Sequence, residues 1–318
     1  MRIRAVLNQD GGTLKTADID SLSALLSSSL EAAGHEAEVC VIHKGEIVET
    51  LEKAAADPEV DCVIVGGGDG SVSLAAALCW KQGKVLGILP AGTMNLFARS
   101  LGMPLDLNLA IAALAGARVR EADICTVNDH VFVHQVSIGV QPRMVELRKV
   151  IPYKSRIGKM TASMRAAIRA MLRPPTFRAN LHTDVLDGVR RYSILAVSNN
   201  VYGDGHLPYA DIIDAGKLGI YSSGPLSLMM NLKLAHDMFF GRWTSNEHLL
   251  SQTGDRVRIE ILSRTRNRKM SCDGELLPLP KVLDIRLHAR ALKVLVPAEA
   301  KVTVADAGVA APQRVGAV

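Results

Sequence analysis

The stretch 62–80, CVIVGGGDGSVSLAAALCW, runs from an apolar segment through a glycine-rich turn into residues that favour a helix. Residues 61–65 predict a buried strand, and residues 71–81 predict a helix. The glycines between them can adopt positive φ and let backbone N–H groups approach a phosphate, which the N-terminus of the following helix also favours. This order of strand, turn and helix is typical of an α/β domain.

The segments on both sides of this stretch also alternate between strand and helix. Strands are predicted over 2–8, 36–43 and 84–90, and helices over 20–33 and 46–56. This order predicts a doubly wound, Rossmann-like α/β domain with a parallel sheet. Ligands of such domains bind beyond the carboxyl ends of the strands, which is where the glycine turn lies.

The sequence changes character after about residue 120. Short β-rich segments such as 130–140 and 269–277 are separated by turn residues, which predicts a second, largely antiparallel domain. One helix is expected within it, over 157–172. The apolar strand at 292–297 could close either domain, and the weakly patterned residues after it are expected to form a flexible tail.

The composition is that of a folded protein without a membrane span. The 318 residues are 48% hydrophobic and 22% charged, and this length suggests two domains. No apolar run is long enough to cross a bilayer, and the N-terminus lacks the pattern of a signal peptide. The five scattered cysteines form no CxxC pair, which favours reduced thiols in the cytoplasm. Aromatic residues make up only 4%, which argues against a nucleic-acid partner.

The positive charge is concentrated in one segment, 143–178, which contains ten Lys and Arg residues and a single acid, Glu146. Such a segment predicts an anionic partner, for example phosphate, nucleic acid or an acidic membrane. The basic residues of the predicted helix lie opposite an apolar stripe. This stripe consists of Ile157, Met160, Met164, Ile168 and Met171. The alternative is a helix whose apolar stripe packs on the protein and whose basic face is solvated.

Asp69 stands in the middle of the glycine turn. The glycine offsets do not fit the dinucleotide pattern GxGxxG, and no Gly-Lys-Ser/Thr of a P-loop follows. A carboxylate would repel bare phosphate, but it fits a site in which Mg²⁺ lies between the two. The alternative is a structural turn in which Asp69 caps the helix.

Two further motifs follow along the chain. Residues 89–104, LPAGTMNLFARSLGMP, again pass from a strand into a helix, and the side chains of Thr93 and Asn95 could cap that helix or bind a phosphate. Residues 271–280, SCDGELLPLP, contain Asp273-Gly274, a favourable hairpin turn. Glu275 is then either an exposed strand residue or a general base that the turn presents.

These three motifs, in this order, resemble the diacylglycerol kinase catalytic-domain family, which includes bacterial lipid kinases, sphingosine kinases and ceramide kinases. The resemblance covers nearly the whole chain, from Asn8 to Pro297. It rests on Gly67-Gly68-Asp69-Gly70-Ser71, on Pro90-Ala91-Gly92-Thr93-Met94-Asn95 with Phe97-Ala98-Arg99, and on Asp273-Gly274-Glu275.

The resemblance implies an α/β domain of the NAD kinase type that binds ATP, 1–124 with 289–301, and a β-sandwich that holds the lipid, 125–288. Residues 302–318 would be the tail. Asp69 and Glu275 would be the catalytic residues, Asp69 through Mg²⁺ on ATP and Glu275 as the base. The residues that would contact the nucleotide and its phosphates are Asn8, Gly67, Gly68, Gly70, Ser71, Thr93 and Asn95.

Some positions depart from the family's pattern. Gln9 follows Asn8 where the family usually has Pro, and Ser71 replaces Thr but keeps the hydroxyl. Leu96 replaces an acid that many diacylglycerol kinases carry and sphingosine kinases lack.

A further departure concerns a structural Mg²⁺. The segment 208–221, PYADIIDAGKLGIY, resembles the family's Asp-Gly segment near that ion, but Ala215 occupies the Asp position. Asp214 is the substitute ligand that the sequence offers.

The expected function is an ATP- and Mg²⁺-dependent kinase that phosphorylates a lipid hydroxyl, with diacylglycerol as the acceptor and phosphatidic acid as the product. A ceramide or sphingoid-base kinase, an enzyme like NAD kinase, and a weakly catalytic lipid-binding relative are the alternatives. The basic helix Arg156–Arg173 would bind an anionic membrane, so that a cytoplasmic protein associates peripherally with the inner face of the membrane. A homodimer is left open.

Overall fold

A computed structural model describes residues 1–150, 165, 174–184, 187–264 and 268–304. The chain forms two compact units. Among the described residues, the first comprises Met1–Ile124, Tyr209–Gly216 and 288–304, and the second comprises Cys125–Pro208 and Lys217–Leu287. The assignment of ATP to the first predicted domain and of lipid to the second stays a prediction.

The first unit is a parallel sheet with helices between its strands. The sheet has the order β2–β1–β3–β4–β16, and its strands run parallel where they pair. Its elements are β1 (Arg2–Asn8), α1 (Ile19–Ala32), β2 (Glu36–Ile42), α2 (Ile47–Ala56), β3 (Cys62–Gly67), α3 (Asp69–Gln82), β4 (Val85–Pro90), α4 (Leu96–Ser100), α5 (Leu107–Ala115), β5 (Arg118–Val127) and the end of β16 (Val282–Val296).

Burial explains this arrangement. Every residue of β3 and of β4 is buried, as expected for central parallel strands with helices on both faces. The helices form two pairs, α1 with α5 and α2 with α3. The predicted doubly wound α/β fold is confirmed, and the three loops that follow β1, β3 and β4 end at the same edge of the sheet.

The second unit is a β-sandwich. One antiparallel sheet has the order β9–β8–β13–β16, and the other has the order β12–β11–β10–β7–β14–β15. Its elements are β6 (His130–Phe132), β7 (Gln135–Gly139), α6 (Val140–Val150), β8 (Phe177–His182), β9 (Asp187–Tyr192), β10 (Ile194–Ser198), β11 (Leu218–Ser223), α7 (Leu228–Phe239), β12 (Leu250–Gly254), β13 (Arg256–Ile261), β14 (Lys269–Cys272), β15 (Glu275–Pro278) and the start of β16.

Apolar side chains from both sheets meet in one core, which includes Ile138, Val197 and Ile220 from one sheet and Leu181 and Ile259 from the other. Along β13 the burial alternates strictly, so that one face packs inward and the other meets solvent. The predicted β-sandwich is confirmed.

The structure also differs from the sequence prediction. The helices α6 and α7 were not predicted. The predicted strand 292–297 is the end of β16, which pairs with β13 over Val282–Arg286 and with β4 at Val294. The predicted basic helix Arg156–Arg173 lies outside the described residues except for Arg165, and so does most of the predicted tail. Within the described residues, no helix is long and apolar enough to span a membrane.

Candidate active site

The glycine turn lies at the carboxyl end of β3. Gly66 and Gly67 are buried. An added Cβ would lie 2.5 Å from the Leu7 side chain at Gly66 and 2.9 Å from the Ser71 side chain at Gly67. The helix α3 begins with Gly68 as its N-cap, and no side chain in the described part of the protein caps it. The N–H groups of its first turn therefore form a positive helix end, which favours an anion.

The loop 91–95 after β4 is closed by the side chain of Asn95. Its Oδ1 accepts a hydrogen bond from the Gly92 N–H (2.7 Å), and its Nδ2 donates to the Gly92 carbonyl (3.1 Å). Asn95 is buried and has a left-handed backbone, with φ of 51°, which Asn tolerates better than most residues. Asn95 therefore shapes this loop, whereas Thr93 is exposed.

Asp69 connects these two loops. Its Oδ1 accepts a hydrogen bond from the Leu96 N–H (2.8 Å), and its Oδ2 accepts one from the Asn95 N–H (3.2 Å). The carboxylate therefore caps the N-terminus of α4, which follows the other loop, and not that of its own helix α3. Leu96 contributes its backbone N–H to this contact.

The loop after β1 reaches the same edge of the sheet. Asn8 is buried, and its Oδ1 accepts a hydrogen bond from the Asp10 N–H (3.2 Å), which forms an Asx turn. Further along, the Thr13 N–H donates to the Ala91 carbonyl (2.8 Å). These contacts fix the first loop against the loop that follows β4.

Glycines allow the three loops to approach one another closely. A Cβ on Gly12 would overlap the Ala91 carbonyl oxygen, and a Cβ on Gly92 would lie 2.7 Å from the Cα of Gly68. The structure thus brings the predicted residues Asn8, Gly67, Gly68, Asp69, Gly70, Ser71, Thr93 and Asn95 to one edge of the sheet. An anion at this edge would meet backbone N–H groups and one carboxylate.

Glu275 belongs to the second unit. The β14–β15 hairpin turns at Asp273 and Gly274, which have φ of 46° and 84°, as a two-residue turn of type I′ requires. Glu275 follows at the start of β15 and is exposed. The hairpin therefore presents this carboxylate to solvent, where it can accept a proton.

Asp273 holds this hairpin in place, and the sequence analysis did not assign it a role. It is buried, and its carboxylate accepts backbone hydrogen bonds from Val133 (2.8 Å), His134 (3.0 Å) and Gln135 (2.9 Å). A short acid at the first turn position of Asp-Gly was the available signal, because such side chains bond to nearby backbone. Asp273 positions Glu275 through the turn.

Asp214 lies in the first unit, apart from the glycine turn. Its Oδ1 accepts a hydrogen bond from the Val304 N–H (2.7 Å), and its Oδ2 lies 3.4 Å from the Arg290 guanidinium. The fully buried Asp123, which the sequence analysis missed, accepts the N–H groups of Gly216 (2.7 Å) and Arg290 (2.8 Å). Among the described residues no group of three or more His, Cys, Asp or Glu could hold a metal ion, so the metal role of Asp214 stays a prediction.

A cleft of about 260 Å³ is lined by Met1, Arg2, Gly34, Glu36 and Asp61. It lies at the amino ends of β1 and β2, whereas the three loops lie at the carboxyl ends. The candidate site is therefore defined by the convergence of the loops and not by this cleft.

The described residues thus form an α/β unit with a glycine-lined helix end and a second unit that is a β-sandwich. Residues 2–127 match the family model of the diacylglycerol kinase catalytic domain. This match confirms the resemblance for the first two motifs, which lie within these residues.

Other relatives match most of the chain. The chain is 24% identical over 260 residues to a diacylglycerol kinase of Bacillus subtilis (strain 168), which covers 79% of this chain and 83% of that protein. It is 28% identical over 244 residues to a probable lipid kinase YegS-like of Pectobacterium atrosepticum, with 73% and 78% covered. A crystal structure of a diacylglycerol kinase from Bacillus anthracis str. Sterne matches with a TM-score of 0.69 at 18% identity, with 94% and 98% covered, which shows the same fold.

Proposed function

We propose that this protein is a lipid kinase that transfers the γ-phosphate of ATP to a lipid hydroxyl, with diacylglycerol as the acceptor and phosphatidic acid as the product. The convergence of the three loops after β1, β3 and β4 is the observation that carries this proposal. It joins an uncapped helix end, glycines without Cβ atoms and the carboxylate of Asp69 at one sheet edge. Phosphoryl transfer depends mostly on positioning and charge stabilisation, which such an edge supplies.

The first turn of α3 would bind the triphosphate of ATP. The N–H groups after Gly68 point out of the helix end, and Gly67, Gly70 and Ser71 would lie beside the phosphate oxygens. The exposed Thr93 would contact the nucleotide directly. Asn8 and Asn95 act mainly through the loops that they close, since their side-chain oxygens accept backbone N–H groups.

Asp69 is the residue that would hold Mg²⁺ on the ATP phosphates. From the described part of the chain each of its oxygens accepts one backbone hydrogen bond, which leaves lone pairs for water or a cation, and a carboxylate oxygen is a ligand that Mg²⁺ prefers. When bound, Mg²⁺ neutralises charge on the phosphate oxygens. The same two N–H groups orient the Asp69 carboxylate.

Glu275 would accept the proton of the acceptor hydroxyl. The hydroxyl oxygen forms a bond to the γ-phosphorus, the bond from that phosphorus to the β–γ bridging oxygen breaks, and ADP leaves with the electron pair. An exposed carboxylate on a rigid two-residue turn is available for this role.

The basic segment Arg156–Arg173 would attract the protein to an anionic membrane, where a lipid acceptor resides. We therefore propose a cytoplasmic protein that associates peripherally with the inner face of the membrane.

Transfer of radiolabelled phosphate from ATP tests the proposal with diacylglycerol, ceramide, sphingosine, phosphatidylglycerol and polyprenol as acceptors. Labelled phosphatidic acid that requires Mg²⁺ is the expected result. If only ceramide or sphingosine is labelled, the protein is a kinase for that lipid and not for diacylglycerol. If only NAD is labelled in a parallel assay, the protein is an enzyme like NAD kinase. If no acceptor is labelled, the protein is a lipid-binding relative and not a kinase.

A further inference from the structure

The helix α7 has a buried side and an exposed side, and both are largely apolar. It begins after Ser227, whose side chain accepts a hydrogen bond from the Met230 N–H. On the buried side lie Leu234 and Asn231, and the Asn231 amide donates to the carbonyls of Leu226 and Ser227. The remaining positions of a surface helix are normally polar. In α7 they are not.

The exposed side forms one stripe at the helical spacing i, i+3, i+4, i+7 and i+11. It consists of Met229, Leu232, Lys233, His236 and Phe240. Met229 is 76% exposed, Phe240 57% and Leu232 39%. Leu228 (40%) and Met230 (41%) flank Met229 and are also exposed. Large apolar side chains grouped in this way mark a surface that binds an apolar partner, since scattered single residues are the ordinary case.

The charges on this stripe identify the partner. Lys233 and His236 lie between the apolar residues, and Arg242 follows just after the helix and is exposed. The acid Asp237 lies beside the stripe: its Oδ2 accepts a hydrogen bond from the Asn246 amide (2.7 Å), and its Oδ1 lies 3.2 Å from Nδ1 of His236. Glu247 lies 3.5 Å from Lys233 at the margin. Apolar side chains with cations between them fit the boundary between lipid tails and anionic headgroups.

More cations lie near the start of α7. Arg190 and Arg191 are exposed on β9, and the Arg191 carbonyl lies 3.7 Å from the position of a Cβ on Gly224, just before the helix. A bilayer contacted by α7 would therefore meet positive charge beyond both ends of the apolar stripe.

We infer that the exposed face of α7 is a docking surface for an anionic lipid bilayer, with Met229, Leu232 and Phe240 in the interface and Lys233, Arg190, Arg191 and Arg242 facing the headgroups. A second copy of the chain is a poorer occupant, because a twofold contact through this face would bring Lys233 and His236 of both copies together. The inference deepens the proposed function, since an acceptor lipid must be reached in its membrane.

Co-sedimentation of the full chain with vesicles tests the surface without any kinase assay. Phosphatidylcholine vesicles that contain phosphatidylglycerol are expected to bind the wild-type protein, and the double variant Met229→Glu/Leu232→Glu is expected to bind about tenfold or more weakly, because two apolar side chains are replaced by acids. Leu109→Glu is the matched control, since Leu109 is a similarly exposed apolar residue (62%) on α5 in the other unit. It should bind like the wild type.

A fluorescent label separates docking from misfolding. An environment-sensitive dye on Met229→Cys should shift to the blue when vesicles are added, whereas the same dye on Leu109→Cys should not. Wild-type vesicle binding by the double variant, or equal dye responses at both positions, would overturn the inference. A concentration-dependent dimer that the double variant loses would also overturn it in favour of a contact between copies.

The inference and the proposed function can fail separately. Loss of vesicle binding in the double variant, with no phosphorylation of any acceptor by the wild type, leaves the docking surface standing and removes the kinase. If both hold, the double variant should lose phosphorylation of acceptor embedded in vesicles and retain it with a short-chain acceptor dissolved as monomers. Loss of both activities alike would contradict a docking role.

Discussion

Asp69 and Asp273 are short acids whose carboxylates hold backbone N–H groups of a neighbouring loop. Asp69 accepts two such bonds and Asp273 accepts three. Hydrogen bonds to a charged acceptor contribute more to stability than neutral ones, and they orient both partners. Each acid therefore fixes the geometry of a motif residue: Asp69 fixes the loop of Thr93, and Asp273 fixes the turn of Glu275.

Replacement of Asp273 tests its positioning role. Asp273→Asn keeps the size of the side chain but removes the charge and turns an NH₂ group toward backbone donors, so we expect the free energy of unfolding to fall by about 2 kcal/mol. Asp129→Asn, at an exposed position in the β5–β6 turn, should change it by less than about 0.5 kcal/mol. Urea denaturation measures both. Equal effects of the two substitutions would contradict the role of Asp273.

Replacement of Glu275 tests the proposed base. Glu275→Gln should lower kcat about 100-fold or more and leave ATP binding and thermal stability unchanged, since the residue is exposed. Glu260→Gln alters an exposed acid on β13 of the same unit and should keep full activity. Steady-state kinetics with saturating ATP decide the matter. A near-normal kcat for Glu275→Gln would assign the base elsewhere, with Asp69 as the next candidate.

Among the elements, the three loops at the carboxyl ends of β1, β3 and β4 depend on contacts that only glycine permits. The strand, turn and helix around each loop could be predicted, because apolar periodicity and Gly-rich turns indicate these elements within a few residues. The helix α7 was missed because apolar residues lie on both its buried and its exposed side, so the sequence does not separate one apolar face from one polar face. Its N-cap Ser227 was the available signal.

A comparison of Gly12 with Gly34 separates the effect of the loop contact on stability from the effect of backbone strain. Gly12 and Gly34 have φ of 51° and 80°, but an added Cβ would overlap the Ala91 carbonyl only at Gly12 and meet nothing within 4 Å at Gly34. Gly34→Ala should therefore destabilise by about 1 kcal/mol, and Gly12→Ala by about 1–3 kcal/mol more. Gly12→Ala should also weaken ATP binding in calorimetry. Equal stability of the two variants would show that the loops separate without cost.

At the scale of the whole molecule, stability depends on how each unit buries its polar groups. In the second unit His134 is buried, and its ring stacks on Tyr202, with the centroids 5.5 Å apart. Its Nε2 has no hydrogen-bond partner among the described residues. Burial lowers the pKa of His134 from 6.5 to about 4, because the charged imidazole would lose its hydration.

This depressed pKa predicts a pH dependence of folding. Between pH 6.5 and 4 the unfolded chain binds a proton that folded His134 does not, so the free energy of unfolding should fall by about 3 kcal/mol as the pH falls through this window. Above pH 6.5 His134 is neutral in both states, and this loss of stability is absent. Urea denaturation at several pH values should show a shallower decline for His134→Gln than for the wild type. Parallel declines would mean that His134 titrates normally in the fold.

The sequence by itself determined the β-α alternation, the β-rich second half, the glycine turn and the hairpin of Asp273-Gly274. These features are encoded locally, by hydrophobic period and by residues that accept positive φ. Only the tertiary structure decided which groups these motifs contact. Asp69 caps a helix that begins 27 residues later, and Asp273 binds N–H groups 138–140 residues earlier. Such pairs depend on the order of strands in a sheet, and no local pattern carries that information.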